Sequence, residues 1–255
     1  MTSRGGISGK VALVTGGGTG IGRATAMHLS AEGARVVVAG RRIAPIRAVV
    51  EAIARRGGEA RAVSADVSTE AGAAAAVEAA VGAFRRLDLV VNAAGVYVEG
   101  SVTSIAIADW RAVLAANLDA TFLVSRFAMA HLARRGGVIV NLSSTLATRA
   151  IPGSAAYGAA KAGVENLTRA MAIDHARDGV RVVAVAPAIV ATAMGLRGER
   201  RKNAALRREL AALHPIGRLG RAADVAALVV QLCRPESSWI TGTVHTIDGG
   251  LTAKG

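Results

Sequence analysis

Short apolar segments alternate with longer helix-forming segments along almost the whole chain of 255 residues. Seven of the short segments have the length and β-branched content of buried strands. The predicted strands are residues 11–15, 35–39, 61–65, 87–91, 137–142, 180–186 and 244–247. Parallel strands need long crossovers, so this alternation predicts a doubly wound α/β fold, a seven-stranded parallel sheet with helices on both faces. With no linker, charge block or internal repeat, residues 1–255 are expected to form a single domain.

A glycine-rich turn follows the first predicted strand and precedes a helical segment. It contains Gly16, Gly18, Thr19, Gly20, Ile21 and Gly22. Glycines let the backbone approach a pyrophosphate closely, and the N–H groups at a helix start attract its charge. The spacing T-G-x-x-x-G-x-G replaces the common G-x-G-x-x-G pattern, and a purely structural tight turn is the alternative interpretation.

Arg41 follows the second predicted strand, about twenty residues past the glycine turn. A carboxylate at this position would bind the 2′-hydroxyl of NAD, and residues 40–42 contain none. An arginine suits a 2′-phosphate, so NADP is favoured over NAD. The alternative is that Arg41 and the adjacent Arg42 are exposed to solvent and bind no cofactor.

Tyr157 and Lys161 lie four residues apart in an Ala-rich segment, residues 154–176, that is predicted to be helical. This spacing places both side chains on one helix face. The preceding strand ends at Ser144, at the edge of the sheet where such folds bind ligands. A nearby ammonium favours the phenolate, so the pKa of Tyr157 is expected to fall toward neutrality and allow proton transfer. An ordinary amphipathic helix face is the alternative.

Taken together, the motifs resemble those of the classical short-chain dehydrogenase/reductase family over nearly the whole chain. They are Thr15-Gly16 through Gly20-Ile21-Gly22, Asp66-Val67, Asn92-Ala93-Ala94-Gly95, Asn117, Ser144, Tyr157 and Lys161. The resemblance implies a Rossmann-type fold and hydride transfer between nicotinamide and a carbonyl or secondary alcohol. Within the family, the chain resembles the 3-oxoacyl-carrier-protein reductase branch, which suggests 3-oxoacyl thioester reduction. Sugar, steroid and small-ketone dehydrogenases of the same family are alternatives.

The resemblance also assigns roles to the motif residues. It makes Tyr157 the general acid/base, Ser144 the partner of the substrate oxygen, and Lys161 the partner of Tyr157 and the nicotinamide ribose. Asn117, within a predicted helix over residues 107–135, would hold a water that links Lys161 to solvent. The glycine turn would bind pyrophosphate, and Asp66 and Val67 would bind the adenine. Asn92, Ala93, Ala94 and Gly95 would serve the adenosine side and the central sheet.

Further expectations concern the second half of the chain. The family's Pro-Gly pair after strand six is here Pro187-Ala188, where Ala resists a positive φ. Pro187 and Thr192 are nevertheless expected to contact the cofactor. Residues 190–219 should form a substrate lid. A homotetramer is expected, with the helices carrying Asn117 and Tyr157 at one interface and residues 239–251 at another.

The chain is strongly basic, with a formal net charge of +13. Aromatic residues make up only 3% of it and no nucleic-acid motif is present, so a nucleic-acid partner is not expected. Within the lid, residues 197–209 carry six basic side chains against two acidic ones. This excess predicts either a solvated helix or a surface that attracts an anionic substrate, with Arg200 and Arg201 as its centre.

Other functional classes are disfavoured. The sequence has no G-x-S-x-G elbow of a serine hydrolase, and its five histidines are scattered, so no metal site is expected. A non-catalytic NADP-binding regulator stays an alternative, although the intact catalytic set argues against it. One cysteine, no signal-peptide pattern and no long apolar span predict a cytoplasmic protein without a membrane segment.

Overall fold

A computed structural model describes residues 6–198 and 202–254. It contains a seven-stranded parallel sheet in the order β3-β2-β1-β4-β5-β6-β7. The strands are β1 Val11–Thr15, β2 Arg35–Gly40, β3 Ala60–Ser64, β4 Leu89–Asn92, β5 Val138–Leu142, β6 Arg181–Pro187 and β7 Val244–Ile247. The predicted fold class is confirmed, and each predicted strand is present within two residues of its expected limits.

The helices in the described residues cover both faces of this sheet. They are α1 Gly20–Ala31, α2 Ile43–Ala54, α3 Glu70–Phe84, α4 Ile107–Leu114, α5 Ala120–Leu132, α6 Ala155–Asp174, α7 Ala204–Ala212 and α8 Ala222–Cys233. Pro45 lies in the first turn of α2, where a proline is tolerated because it lacks only an N–H that would have no helical partner.

Alternation of side chains along the strands produces two separate cores. In β1, Ala12 and Val14 pack with α1, α2 and α8 on one face. Val11 and Leu13 pack with α3, α5 and α6 on the other. The chain turns from one side of the sheet to the other between β1 and β4, and a crevice opens at the carboxyl ends of the strands at such a point.

The long helix predicted over residues 107–135 is not regular. Between α4 and α5, residues Ala115–Asp119 form a π-helical turn that contains Asn117. The Asn117 side-chain amide donates to the Val113 carbonyl at 2.8 Å, so the side chain takes an acceptor that regular helical bonding uses. The whole stretch Ile107–Leu132 is long and apolar enough to cross a bilayer, but Val113, Val124 and Leu132 are fully buried, as in a core helix.

Residues 188–221, between β6 and α8, form a long excursion whose two ends are bonded to each other. Val190 and Gly220 form an isolated parallel bridge, and the Ala191 N–H donates to the Gly220 carbonyl at 2.8 Å. The excursion contains α7 and approaches the carboxyl edge of the sheet through Thr192, whose methyl group would lie 3.4 Å from a Cβ at Gly20. Arg200 and Arg201 of the predicted lid lie outside the described residues.

Candidate active site

The glycine turn after β1 forms the start of α1. Gly22 packs so closely on the turn that a Cβ there would lie 2.4 Å from the Gly16 carbonyl oxygen. The N-cap residue Thr19 makes no side-chain hydrogen bond to α1, and the first helical turn has no acidic residue. The N–H groups at the start of α1 therefore face the crevice without a side-chain cap, which is the arrangement that binds a phosphate.

One groove runs along the loops that follow β1, β2, β3 and β4. Eight of the residues predicted to bind the cofactor line it, namely Gly16, Gly18, Thr19, Arg41, Asp66, Val67, Ala94 and Gly95. Gly20, Ile21 and Gly22 form the helix start beside it. The sequence interpretation missed Arg42, Pro45, Ser68 and Ala116, which also line the groove and carry no distinctive motif.

Asn92 and Ala93 lie behind the groove. The Asn92 amide donates to Ser125 Oγ at 3.1 Å and to Asn141 Oδ1 at 2.9 Å, so the side chain points into the sheet. The Ala93 and Ala94 N–H groups both donate to Thr15 Oγ1 at 3.2 Å. These contacts attach the loop after β4 to β1, and the Asn92 amide nitrogen serves the central sheet, as expected for this motif. Asn92 Oδ1 has no hydrogen-bond partner among the described residues.

Asp66 is held by local hydrogen bonds at the far end of the groove. Its carboxylate accepts from Ser68 Oγ at 2.6 Å and from the Ser68 N–H at 3.1 Å. These bonds, with a contribution from the charge of Arg41, hold the pKa of Asp66 below its usual value. Asp66 is therefore ionised near neutral pH and lies within electrostatic reach of Arg41.

Ser144, Tyr157 and Lys161 come together where β5 ends and α6 begins. The Lys161 side chain is 4% exposed, and its Nζ donates to the Leu142 carbonyl at 2.7 Å. Burial lowers the pKa of Lys161 to about 8. Ser144 Oγ accepts from the Leu146 N–H at 3.2 Å, which orients it toward the start of α6.

The direction predicted for the Tyr157 pKa is wrong. Tyr157 is half-buried at the end of the groove, and loss of solvation raises the pKa of Tyr157 to about 12. The hydrogen bond with Ser144 and the charge of Arg197 oppose this rise. The loss of water around a phenolate outweighs both, and Lys161 Nζ lies 5.5 Å from the ring centroid while donating to Leu142.

Asn117 lies behind Lys161. Its amide nitrogen donates to the Val96 carbonyl at 2.9 Å and to the Val113 carbonyl at 2.8 Å. Its Oδ1 is buried and has no hydrogen-bond partner among the described residues. A Cβ built at Gly95 would lie 2.5 Å from this oxygen and 3.8 Å from Lys161 Nζ, so both atoms flank the side-chain-free space at Gly95.

The substrate side of Tyr157 carries an aromatic and a basic residue that no motif indicated. The Tyr97 ring lies 5.1 Å from the Tyr157 ring, centroid to centroid, and the Tyr97 hydroxyl donates to the Gly153 carbonyl at 3.2 Å. The Arg197 guanidinium carbon lies 3.4 Å from the centroid of the Tyr97 ring. Tyr97 could have been suspected because it follows the Asn92–Gly95 motif by two residues.

Pro187 and Thr192 lie on either side of the turn that leaves β6. Pro187 pairs with Ile247 of β7, and Thr192 lies next to Gly20 at the start of α1. Ala188 has no positive φ, since Arg85 alone among the described non-glycine residues has one. The conformational penalty predicted for Ala188 is therefore absent.

The groove and the residues at its end fit a dinucleotide. The uncapped start of α1 fits the pyrophosphate, and the unpartnered oxygen of Asn117 beside Lys161 fits a water or a hydroxyl. This arrangement extends from Arg41 at one end to Tyr157 at the other. It brings together all four predicted catalytic residues, Asn117, Ser144, Tyr157 and Lys161.

Comparisons with known proteins agree with this geometry. A family model described as enoyl-(acyl carrier protein) reductase matches residues 16–252. A cyclohexanol dehydrogenase of Acinetobacter sp. (strain SE19) is 38% identical over 247 residues, which cover 96% of each chain. A 3-oxoacyl-[acyl-carrier-protein] reductase of Thermotoga maritima is 34% identical and covers 96% of this chain and 98% of that protein.

The likeness extends to solved structures. A double mutant of a short-chain dehydrogenase/reductase from Serratia marcescens superposes with a TM-score of 0.90 at 36% identity, covering 97% of this chain and 99% of that one. The chain therefore belongs to the short-chain dehydrogenase/reductase family and is an NAD(P)-dependent oxidoreductase that transfers hydride between nicotinamide and a carbonyl or secondary alcohol group.

Proposed function

We propose that Tyr157 exchanges the proton with the substrate oxygen while Ser144 hydrogen-bonds that oxygen. The observation that carries this proposal is the meeting of Ser144, Tyr157 and Lys161 at the end of β5. A bound nicotinamide supplies or accepts the hydride. Lys161 holds the nicotinamide ribose, and Asn117 Oδ1 holds a water that links Lys161 to solvent.

The raised pKa of Tyr157 determines which form of its hydroxyl is present near neutral pH. A phenol whose pKa is about 12 is protonated near neutral pH, and this is the form that donates a proton to a carbonyl oxygen as hydride arrives. Removal of a proton from an alcohol requires the phenolate, which burial disfavours. We therefore propose that Tyr157 is in its proton-donating form near neutral pH.

The cofactor we propose is NADP rather than NAD. Arg41 and Arg42 line the groove after β2, and no carboxylate lies at residues 40–42. An arginine there binds the additional phosphate through charge-assisted hydrogen bonds, each contributing about 1.5–3 kcal/mol. Arg41→Ala is expected to reduce the ratio of NADPH to NADH affinity by about tenfold or more, measured by titration calorimetry.

Arg56→Ala is the matched control for this prediction. Arg56 is exposed just beyond the end of α2 and does not line the groove. The substitution therefore removes the same charge without removing a predicted cofactor contact. Equal affinities of the unaltered protein for NADPH and NADH would contradict the NADP assignment. An equal effect of both substitutions would show only the influence of net charge.

The substrate class we propose is a compact ring ketone and the matching secondary alcohol. Tyr97 covers one side of Tyr157. Ile151, in the turn that accepts the Tyr97 hydrogen bond, and Met194, whose carbonyl accepts from Arg197, expose apolar side chains nearby. Aromatic and aliphatic surfaces of this kind suit a hydrocarbon ring. The cyclohexanol dehydrogenase relative supports the same class.

Reduction of 3-oxoacyl thioesters is a second candidate. The 3-oxoacyl-[acyl-carrier-protein] reductase of Thermotoga maritima favours it. The two candidates are separated by measuring NADPH oxidation with cyclohexanone and with an acetoacetyl thioester. We expect higher kcat/KM with cyclohexanone, and preferential turnover of the thioester would replace the first candidate by the second.

A homotetramer is proposed for the assembly. Phe122 on α5 is 44% exposed and Trp239, just before β7, is 97% exposed. Aromatic side chains such as these are enriched at protein–protein interfaces. Ala159 and Ala162 are exposed on α6 and permit close contact between two copies of that helix.

A further inference from the structure

The Arg197 guanidinium occupies a defined position beside the reacting tyrosine. Its central carbon is 3.4 Å from the Tyr97 ring centroid, and that ring lies 5.1 Å from the Tyr157 ring. The distance from the guanidinium carbon to the centroid of the Tyr157 ring therefore cannot exceed the sum of these two distances. Its charge reaches the Tyr157 hydroxyl strongly enough to oppose the rise of the Tyr157 pKa.

One hydrogen bond to a backbone carbonyl orients each of the two side chains, Tyr97 and Arg197. The Tyr97 hydroxyl donates to the Gly153 carbonyl at 3.2 Å, and Gly153 lies in the turn that leads into α6. Arg197 Nη1 donates to the Met194 carbonyl at 3.0 Å. These contacts orient the guanidinium on the aromatic face, with the ring quadrupole attracting the cation.

Most of the donors of this guanidinium have no acceptor among the described residues. A guanidinium has five N–H donors, and Arg197 makes one hydrogen bond, to a backbone carbonyl. In residues 6–198 and 202–254, no carboxylate lies within salt-bridge distance of Arg197. A partly buried cation that has no carboxylate partner among the described residues, and that lies beside Tyr157, is suited to an anionic group on the ligand.

We propose that Arg197, supported by Tyr97, binds a carboxylate carried by the substrate on the side of the ring opposite the reacting carbonyl. The preferred substrate is then an oxo-carboxylic acid, or the hydroxy acid formed from it. This inference rests on the proposed ring-ketone reductase function. It differs from a general steering effect of lid charge, because it assigns one residue and a short-range contact.

The competing explanation is that Arg197 only fastens the excursion after β6 to Tyr97 through the cation–π contact. In that case, its loss loosens the site for every substrate alike. The test is therefore a comparison of 4-oxocyclohexanecarboxylate with its methyl ester and with cyclohexanone, using NADPH, in the unaltered protein and in Arg197→Met. Methionine keeps a long apolar side chain and removes the charge.

The expected result is a substrate-dependent loss. Arg197→Met should raise KM for the carboxylate by about tenfold or more, the scale of one charge-assisted hydrogen bond, and change KM for both neutral ketones by less than about twofold. Arg197→Lys should restore part of the loss. Tyr97→Leu, which removes the platform, should weaken carboxylate use more than Tyr97→Phe, which keeps the ring.

Arg177→Met is the matched control. Arg177 is exposed in the turn after α6, at the opposite end of that helix from Tyr157. The substitution therefore removes the same charge far from the site. KM for the carboxylate should not change. A comparable rise in this control, or equal losses for carboxylate and ester in Arg197→Met, would overturn the assignment of Arg197.

The outcomes also separate this inference from the function on which it rests. If the unaltered protein reduces neither cyclohexanone nor the oxo acid, the proposed ring-ketone function fails and the inference fails with it. If it reduces both, without a KM advantage for the carboxylate over the ester, the function stands and the role of Arg197 fails. A KM advantage for the carboxylate that disappears in Arg197→Met supports both the ring-ketone function and the role of Arg197.

Discussion

Replacement of Lys161 by methionine should make the protein more stable while removing its activity. Lys161 is almost fully buried, and burial lowers its pKa from 10.5 to about 8. A difference of that size corresponds to about 3 kcal/mol of folding free energy, at roughly 1.4 kcal/mol per pKa unit. The lost hydrogen bond to the Leu142 carbonyl offsets about 1 kcal/mol of this. The variant should therefore gain about 2 kcal/mol at pH 7.

The pH dependence follows from the direction of the shift. Below pH 8 the lysine is protonated in both the folded and the unfolded chain, so the whole penalty of burying the charge is present. As pH rises from about 8 to 10.5, the folded protein loses this proton before the unfolded chain does. The native protein becomes more stable relative to the variant across this interval, and the advantage of Lys161→Met shrinks.

The difference in unfolding free energy between the native protein and Lys161→Met can be measured by urea unfolding. The measurement is made without added nucleotide, at several pH values from about 7 to 10. Thermal unfolding at pH 7 should show a midpoint about 4–8 °C higher in Lys161→Met, on the scale expected for a chain of this length. Lys254→Met is the control, because it removes a charge from the same strongly basic protein at an exposed position. A variant that is no more stable than the native protein at pH 7, or a difference independent of pH, would refute the reasoning.

Three further predictions follow from the site and its supports. Tyr157→Phe should lower kcat by several orders of magnitude and leave the NADPH Kd, from calorimetry, within about twofold, because only the proton donor is lost. Retention of a tenth of the activity would contradict it. Gly22→Ala should weaken NADPH binding by at least about tenfold, since its Cβ would lie 2.4 Å from the Gly16 carbonyl, whereas Gly82→Ala meets nothing within 4 Å and should bind normally. Sedimentation velocity at micromolar concentration should show a tetramer, and a monomer alone would exclude the proposed assembly.

The fold could be predicted from the sequence because its signals are local. A buried parallel strand such as β1 needs a short run of apolar residues, and its two neighbouring cores follow from the alternation of its side chains. The groove residues could be predicted for a similar reason. Each follows the end of a strand, and parallel strands bring their carboxyl ends to one edge of the sheet.

The properties that sequence analysis missed depend on burial and on contacts between distant segments. The spacing of Tyr157 and Lys161 was sufficient to place both on one helix face, but it contained no information on the water excluded from the phenol. The π-helical turn at Asn117 depends on a side-chain bond to Val113 that competes with the helix. The contact of Arg197 with Tyr97 joins two loops exactly one hundred positions apart, so no local pattern could indicate it.

Asn92 shows how a motif residue can serve the site without lining it. Its amide donates to Ser125 on α5 and to Asn141 on β5, and the Asn141 amide donates in turn to Thr168 on α6 at 2.9 Å. Buried amides that leave such bonds unmade are destabilising by about 1–3 kcal/mol, so this chain favours one relative placement of the strands and helices. Because α6 carries both Tyr157 and Lys161, the same bonds determine where the proton donor stands relative to the groove. Asn92 thus supports the central sheet and, through Asn141 and Thr168, the position of α6.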